Sequence, residues 1–546
     1  MPNSLPLPQS KLRSARMLRL QVHAEAFVSQ PGSYARCVWW RLVGKRLRAR
    51  MKLAQLLGGT SRAYDLWQAQ EQRENGLRHS NHAPAVIALV RPGPGEDRTL
   101  ASLDLAGIQA SILDGDLREA LANLEREFSE GWLLLIQAGD CVSEAAGDAY
   151  RLAISLTEPT THVIYADDDL INVEGRRHSP HFKPDWNSEM FRHFDYVSDS
   201  AIFRLSALNL PSLAASPFQD ALKLSQRDGG EIVHLPKVLH HRRSRKAPTL
   251  PLPPIQPDPA SELPSVSVLV PTRNRLDLLE TCLEGLKATR YPGSCEIIII
   301  DNGSDDPATI EYLANIDPGF ARVIPFAGAF NFAAINNSAA REAKGKLLCF
   351  LNNDIEITDP SWLAIMAQQA VREEVGAVGA QLLYPDGRIQ HAGVVLGIGG
   401  AAAHAHRLLQ PSKTGYFHRH KLPQFVSAVT AACLVVERAK FEAVGGFDEE
   451  HFAVSFNDVD LCLKLRAKGW KSLYEPRARL VHHESISRGL DRDALGAARQ
   501  AREVANLQEK WRTQLASGGE GEGAHNPDPY HHPELSRLSE QFVVRL

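Results

Sequence analysis

The chain lacks the features of a membrane-spanning, disulfide-framed or zinc-organised protein. No apolar run is long enough to cross a bilayer, and no secretory signal pattern is present. Its seven cysteines (Cys37, Cys141, Cys282, Cys295, Cys349, Cys433, Cys462) are scattered without a CxxC pair. That spacing excludes a zinc site or disulfide frame and leads us to expect reduced packing residues in a cytosolic protein. The net charge of −3 gives no whole-chain argument for nucleic acid, and no such partner is expected. A complete dinucleotide fingerprint is also missing. Gly397-Ile-Gly-Gly400 is a fragment of one and does not open the first βα unit, which counts against an oxidoreductase. His391, His404 and His406 fit no zinc spacing. A loop beside an acceptor groove is expected there.

What is present is α/β patterning on the scale of about three domains. Residues 1–82 read as helical and basic. Lys11, Arg13, Arg16, Arg19, Arg36, Arg41, Lys45, Arg46, Arg48, Arg50 and Lys52 are opposed only by Glu25 up to Gly59. Val38, Trp39, Trp40, Leu42 and Val43 interleave with them. Such a helix can lie on an anionic membrane or pack on the next domain. Tyr64 to Arg78 reads as a linker helix. An α/β pattern starts at Pro84, with strands expected at Val86–Val90, Ile108–Leu113, Trp132–Ile136 and Val163–Tyr165. The stretch 248–263 is proline-rich, stiff and a domain boundary. The pattern then restarts with strands at Val266–Val270 and Glu296–Ile300, and helices at Leu276–Thr289 and Phe332–Ala343.

The second pattern leads to Lys346-Leu-Leu-Cys-Phe-Leu-Asn-Asn-Asp354, a buried strand running out into amides and a carboxylate. Ligands of open α/β sheets sit beyond the carboxyl ends of strands, and a carboxylate there suits a divalent cation that holds a diphosphate. Asp354 as a cap of the helix near Pro360 is the plainer alternative. Pro271-Thr272-Arg273 and Asp301-Asn302-Gly303-Ser304 end neighbouring strands and would line the same crevice. Asp458 and Asp460 open another helix, where carboxylates also serve as ordinary caps. His482 follows the strand Ala478–Val481, which makes a ligand role plausible.

The two patterns read as an internal repeat. Pro84 to Val90 parallels Pro264 to Val270, and Gly131 to Asp140 parallels Gly345 to Asp354. Leu222, Leu224 and His241 share one offset with Leu463, Leu465 and His482, while Pro236 sits one residue off it relative to Pro476.

Pro271-Thr-Arg-Asn, Ile300-Asp-Asn-Gly-Ser, Phe350-Leu-Asn-Asn-Asp, Ala431-Ala-Cys-Leu-Val-Val through Val444-Gly-Gly-Phe-Asp, Asn457-Asp-Val-Asp-Leu and His482-His-Glu-Ser together resemble the family-2 nucleotide-sugar glycosyltransferases of GT-A fold. Asp386-Gly-Arg-Ile-Gln-His-Ala-Gly393, Tyr165-Ala-Asp-Asp-Asp, His181-Phe-Lys-Pro-Asp-Trp186 and Asp528-Pro-Tyr-His-His-Pro533 are similar to a tandem-domain, rhamnosyltransferase-like subgroup of O-antigen and surface-polysaccharide assembly.

The resemblance implies two tandem GT-A domains, Rossmann-like α/β units with a mixed, mostly parallel sheet, behind a basic helical N-terminal segment. The expected boundaries are 1–82 for that segment, 83–247 for a shorter first domain, 248–263 for the linker, 264–514 for the catalytic domain and 515–546 for a tail. It further implies an inverting enzyme that takes a nucleotide-sugar donor and a glycan or lipid-linked glycan acceptor. Mg²⁺ or Mn²⁺ would be its cofactor, and its place would be the cytoplasm or the inner membrane face.

By motif position, Pro271, Thr272, Arg273, Asp301, Asn302, Ser304 and Asn353 would bind the nucleotide. Asp354 and His482 would hold the metal, although Asn352 replaces the usual first acid of that motif. Asp458 would be the catalytic base, and Asp460, His391 and Asn457 would contact acceptor or donor. In the first copy Asp114, Asp140 and His241 match Asp301, Asp354 and His482. The position matching Asp458 falls on Pro217 or Phe218, with Gln219-Asp220 nearby only if the register slips. The first copy is therefore expected to be catalytically degenerate. A decayed glycan-binding or scaffold protein is the alternative reading of the whole chain.

Overall fold

The computed structural model describes residues 15–71, 84–128, 130–208, 222–225, 227, 229–255, 263–483, 494–515, 526 and 528–546. The candidates at 217–220, the basic residues Lys11 and Arg13, residues 72–78 of the linker helix, the middle of the proline-rich stretch and the residues after His483 in its motif lie outside these.

Two sheets carry the architecture. The first contains β1 (Val86–Arg91), β2 (Gln109–Ile112), β3 (Trp132–Gln137), β4 (Cys141–Val142), β5 (Val163–Ile171), β6 (Arg177–His181), β7 (Ala201–Arg204) and β8 (Ile232–Arg242). Its order is β2-β1-β3-β7-β5-β8-β4, with β6 paired to β5. The second contains β9 (Val266–Thr272), β10 (Cys295–Asp301), β11 (Arg322–Pro325), β12 (Leu347–Leu351), β13 (Ile355–Glu356), β14 (Val375–Leu383), β15 (Ile389–His391), β18 (Gln424–Val426), β19 (Cys433–Glu437) and β20 (Lys471–His482). Its order is β11-β10-β9-β12-β19-β14-β20-β13, with β15 on β14 and β18 on β20. A separate ribbon joins β16 (Val394–Leu396) to β17 (Ala402–His404).

The two sheets follow one plan. In each, a parallel group meets an antiparallel strand (β7 or β19), then a parallel pair (β5·β8 or β14·β20), then a short antiparallel edge (β4 or β13). Among the described residues, the first sheet has no counterpart of the edge strand β11 or of β18. Cys141 lies opposite His241, as Ile355 lies opposite His482. This register places Asp140 where Asp354 stands. It also accounts for the stray proline. The β5·β8 ladder skips Pro236, Lys237 and then Leu239, and β14·β20 skips Pro476, Arg477 and Ala478. A proline cannot donate to a ladder, so each sits in a bulge. His241 belongs to the third pair past the proline, while His482 lies one residue beyond the third pair, which shifts the proline against the histidines.

Both faces of each sheet are covered. In β9, Val268 and Val270 enter one core with the helix Trp362–Ala370, while Leu269 enters another with the helices Phe332–Glu342 and Asn457–Ala467. Alternate residues of β1 divide in the same way. This is why the strands read as continuous apolar runs.

The strand expected at Val163–Tyr165 is longer than that. β5 runs on to Ile171, and Asp167, Asp168 and Asp169 are all buried within it. The ladder with β8 continues past its bulge, so the carboxylates stay in the strand and must find cations there. Six of the cysteines are buried, and Cys295 is exposed.

Candidate functional site

The strand ends of the second sheet converge as expected. Thr272 and Asp301 close β9 and β10 opposite one another. Pairing of β12 with β9 ends at Leu269, so the Pro271–Thr272 end of β9 runs on past it. Asn353 Nδ2 donates to Thr272 Oγ1 at 3.0 Å. Asp301 Oδ1 accepts from Ser304 N and Oγ at 2.9 and 2.6 Å. Asn302, buried, donates through Nδ2 to Phe326 O and Gly328 O. Arg273 is half exposed and lies 3.7 Å from Asp305. Asn274 stitches the two loops, donating to Ser304 Oγ and Asp305 and accepting from Asp305 N and Asp306 N. Asn274 and Arg275 both hold positive φ, 54° and 53°. Such backbone is sparsely populated for side chains of this size and concentrates at functional loops. The sequence reading missed Arg275, whose guanidinium is held above its ordinary range first by Asp277 and partly by the charge of Asp354.

Asp354 follows directly. Its Oδ1 lies 3.0 Å from His482 Nε2, and both residues are almost fully buried. On the far side of the ring, His482 Nδ1 lies 2.8 Å from Gln390 Oε1. A carbonyl oxygen only accepts, so Nδ1 carries a proton and Nε2 is the nitrogen that faces the carboxylate. Asn352 Nδ2 lies 3.4 Å from Nε2. A carboxylate oxygen and an imidazole nitrogen at 3.0 Å need positive charge between them, either the second proton of an imidazolium or a bound cation. That donor pair fits a small divalent cation. Gln390 is the residue that sequence reasoning did not single out.

Asp458 sits half-buried at the start of the helix Asn457–Ala467. Its Oδ1 accepts from Val459 N at 2.8 Å and its Oδ2 from Ala431 N at 3.2 Å. The neighbouring Ala432 O accepts from Asn352 N, which ties this carboxylate to the strand end that carries Asp354. Each oxygen keeps a lone pair for a further proton.

The other residues expected near substrate lie deeper. Asp460 is fully buried, with Lys510 Nζ at 2.8 Å, Lys464 Nζ at 3.2 Å and Trp511 Nε1 donating at 2.9 Å. Asn457, buried, donates to Val454 O. His391 is fully buried against His404, accepts from Thr430 N through Nε2, and is held well below its usual range by burial and by His404 and His482. These three brace the site from behind.

The first sheet presents the same positions already filled. Asp140 Oδ1 accepts from Arg243 N at 2.7 Å, and burial pushes its carboxyl up to about 6. Arg243 crosses the strand ends to donate to Pro94 O, and a Cβ on Gly139 would meet its side chain at 2.4 Å. His241 Nδ1 is turned to Asp169 Oδ1 at 2.8 Å. Asp114 is exposed at the end of the loop after β2. Asp168 pairs with Lys183 at 2.8 Å and with Arg245. Asp167 has His234 Nε2 at 3.1 Å and His532 Nε2 at 2.7 Å.

Asp167, His234 and His532 bring three potential metal-ligand atoms within 4.8 Å of one another, the one such group among the described residues. Glu534 N donates to His532 Nδ1 at 2.9 Å, however, so the ring proton sits on Nε2 and faces Asp167. His234 Nδ1 likewise meets Asp185 Oδ1 at 2.9 Å. The group is a hydrogen-bonded ion cluster whose ring protons stand where a metal would have to.

The geometry defines an α/β domain whose polar strand ends could cradle a nucleotide diphosphate. Residues 267–444 match the Glycosyl transferase family 2 model, and this stretch is a domain of that family. The chain is similar to an uncharacterized protein, y4gI, of Sinorhizobium fredii, at 35% identity over 73% of this chain and 48% of that protein. It is 37% identical to the O-antigen biosynthesis protein RfbC of Myxococcus xanthus over 65% of this chain and 31% of that one. It is 29% identical to an N-acetylglucosaminyl-diphospho-decaprenol L-rhamnosyltransferase of Mycobacterium tuberculosis over 39% of this chain and 74% of that one. The chain thus spans about half or less of the first two relatives' length. Among the described residues, no helix is long and apolar enough to cross a membrane.

Proposed function

We propose that this chain is an inverting, nucleotide-sugar-dependent glycosyltransferase that extends a surface glycan of the O-antigen or capsule type, with its chemistry in the second unit. The observation that carries the reading is the Gln390–His482–Asp354 relay at the strand ends of a family-2 domain. The names of two relatives support the substrate class.

In this reading Thr272, Asp301, Asn353 and the loops stitched by Asn274 hold the nucleotide, with Pro271, Arg273, Asn302 and Ser304 shaping that edge. Asp354 and His482 would hold Mg²⁺ or Mn²⁺, which would offset charge on the departing diphosphate. Asp458 takes the proton of the acceptor hydroxyl. The hydroxyl oxygen bonds to the anomeric carbon from one side as the bond to the diphosphate oxygen breaks on the other. The nucleoside diphosphate leaves with that electron pair, and the centre inverts. The two backbone N–H groups on Asp458 fix its direction and leave a lone pair on each oxygen for the proton.

The first unit is non-catalytic in this proposal, because its Asp140 and His241 are already bound to Arg243 and Asp169. It would position an acceptor or support the second unit. A lipid-linked acceptor and a place at the inner membrane face complete the reading.

Transfer or hydrolysis across a panel of nucleotide sugars with Mg²⁺ or Mn²⁺ tests it. Asp458→Asn should lower kcat by roughly 10²–10⁴-fold, the range for a lost general base. Asp140→Asn should leave turnover unchanged. Loss in a folded Asp140→Asn protein would place catalysis in the first unit. Absence of turnover with every donor and with lipid-linked acceptors would favour the scaffold reading.

A further inference from the structure

The N-terminal helices carry a surface that glycosyl transfer does not explain. The helix Ala15–Ser29 buries Leu18 and Val22 against Leu66 and Ala69, and Ala26 against Cys37 and Leu56, all on neighbouring N-terminal helices. At about 100° per residue Leu18, Val22 and Ala26 fall on one side of the helix. Met17, Leu20, Phe27 and Val28 are 50–78% exposed and cluster on the opposite side within an arc of about 100°. The next helix, Pro31–Leu42, repeats the arrangement. It buries Cys37 and exposes Val38, Trp39 and Leu42 on another arc of about 100°. Arg36 and Arg41, both exposed, flank that arc about 60° beyond its two edges. Val43 and Leu47 extend the apolar surface, with Lys45, Arg46 and Arg48 exposed among them. From Ala15 to Gly58 there are nine Lys or Arg residues and one acid, Glu25, which accepts from Ser61 N.

We propose that this face docks on an anionic phospholipid bilayer. The apolar arcs would enter the interface while the flanking arginines keep their charge at the headgroups. Trp39, 62% exposed, has the amphipathic ring that settles at that depth. Charge selects among occupants. A second copy would bring nine cations against nine, and a nucleic acid would gain nothing from exposed leucine and phenylalanine. An anionic lipid surface satisfies both parts of the face at once.

The platform is joined to the transfer domain. Met51 packs with Val395, Ile398 and Ala405 beside the β16–β17 ribbon, and Gly58 O accepts from Val544 N. Membrane contact would therefore hold the second unit at the bilayer, whichever reaction that unit performs.

Co-sedimentation of the full chain with vesicles tests the proposal. One set is phosphatidylcholine alone and the other contains phosphatidylglycerol. Binding is expected only to the second, falling as salt is raised. Trp39→Glu with Leu42→Glu, both at exposed positions, should weaken it by about tenfold or more. Arg36→Glu with Arg41→Glu should weaken it further at low salt than at high salt. No binding to phosphatidylglycerol vesicles, or equal binding by the Trp39/Leu42 variant, would overturn it. Self-association that this variant abolishes, without vesicle binding, would also overturn it and make the face a protein interface.

Discussion

At the scale of single residues, the most informative side chain is Gln390. Its Oε1 lies 2.8 Å from His482 Nδ1 and holds the ring with Nε2 toward Asp354. Partners behind a ligand histidine commonly set metal affinity by 10- to 100-fold. Gln390→Leu should weaken Mn²⁺ binding by about that range, read by the free-ion EPR signal during titration. Gln390→Glu keeps an acceptor at the same place and should keep most of the affinity. Equal affinity in all three proteins would remove Gln390 from this role. Asp354, His482 and Asp458 were legible in the sequence because each ends a strand or opens a helix inside a recognisable motif. Gln390 was not, although its motif was noticed. Its partner lies 92 residues away, and only the antiparallel placement of β15 beside β14 brings the two together. Asp460 shows the opposite failure. It shares a motif with Asp458, yet two residues along the helix, about 200° of turn, bring it inward to Lys464, Lys510 and Trp511.

At the scale of elements, the strand plan common to the two sheets was legible because buried parallel strands announce themselves as apolar runs ending in polar residues. The strand expected at Val163–Tyr165 stopped short of the three aspartates of β5 because a carboxylate run does not read as buried strand until its cations are known. Lys183, Arg245, Arg177, His234 and His241 come from other elements and the loops beside them, and from one strand's sequence none can be paired with its partner. Gly345 at the head of β12 has a packing role. Gly345 N donates to Ser267 Oγ, and a Cβ there would lie 2.4 Å from Ser267 N and 2.6 Å from Val266 C. Those neighbours are backbone of the central strand β9 and cannot swing away. Gly345→Ala should therefore destabilise the protein by about 1–3 kcal/mol, the usual range for overpacking. Thermal unfolding of the second unit would show it. An unchanged midpoint would mean that β12 can shift along β9, and with it the strand end that places Asp354.

At the scale of the whole molecule, the two units are riveted through the stretch that begins with the His181–Trp186 motif and through the Asp528–Pro533 motif. Asn187 donates to Phe425 O and accepts from Phe425 N, Tyr416 bonds to both backbone groups of Phe182, and Asp185 N donates to Pro529 O. Arg372 of the second unit meets Glu189 of the first at 2.6 Å. Burial would raise the Glu189 carboxyl, but His193 and Arg372 outweigh it and hold it at about 2. The C-terminal segment is latched by His532 on Asp167, with His234 bridging Asp167 and Asp185. Burial alone would lower His234, yet Asp167, with Asp185 behind it, raises it to about 9. A histidine raised from about 6.5 in the unfolded chain stabilises the fold fully below that pH and loses the contribution as pH climbs through about 9. The shift corresponds to roughly 3 kcal/mol, an upper order for this one group. Hydrogen exchange across residues 528–546 should therefore be slow near neutrality and quicken between about pH 7 and 9.5, beyond the intrinsic rise of exchange with pH. His234→Gln should exchange faster at neutral pH and show little of this extra dependence. If the variant keeps the full pH dependence, the latch is held by packing of Phe182, Trp67 and Leu535 instead of by the imidazolium.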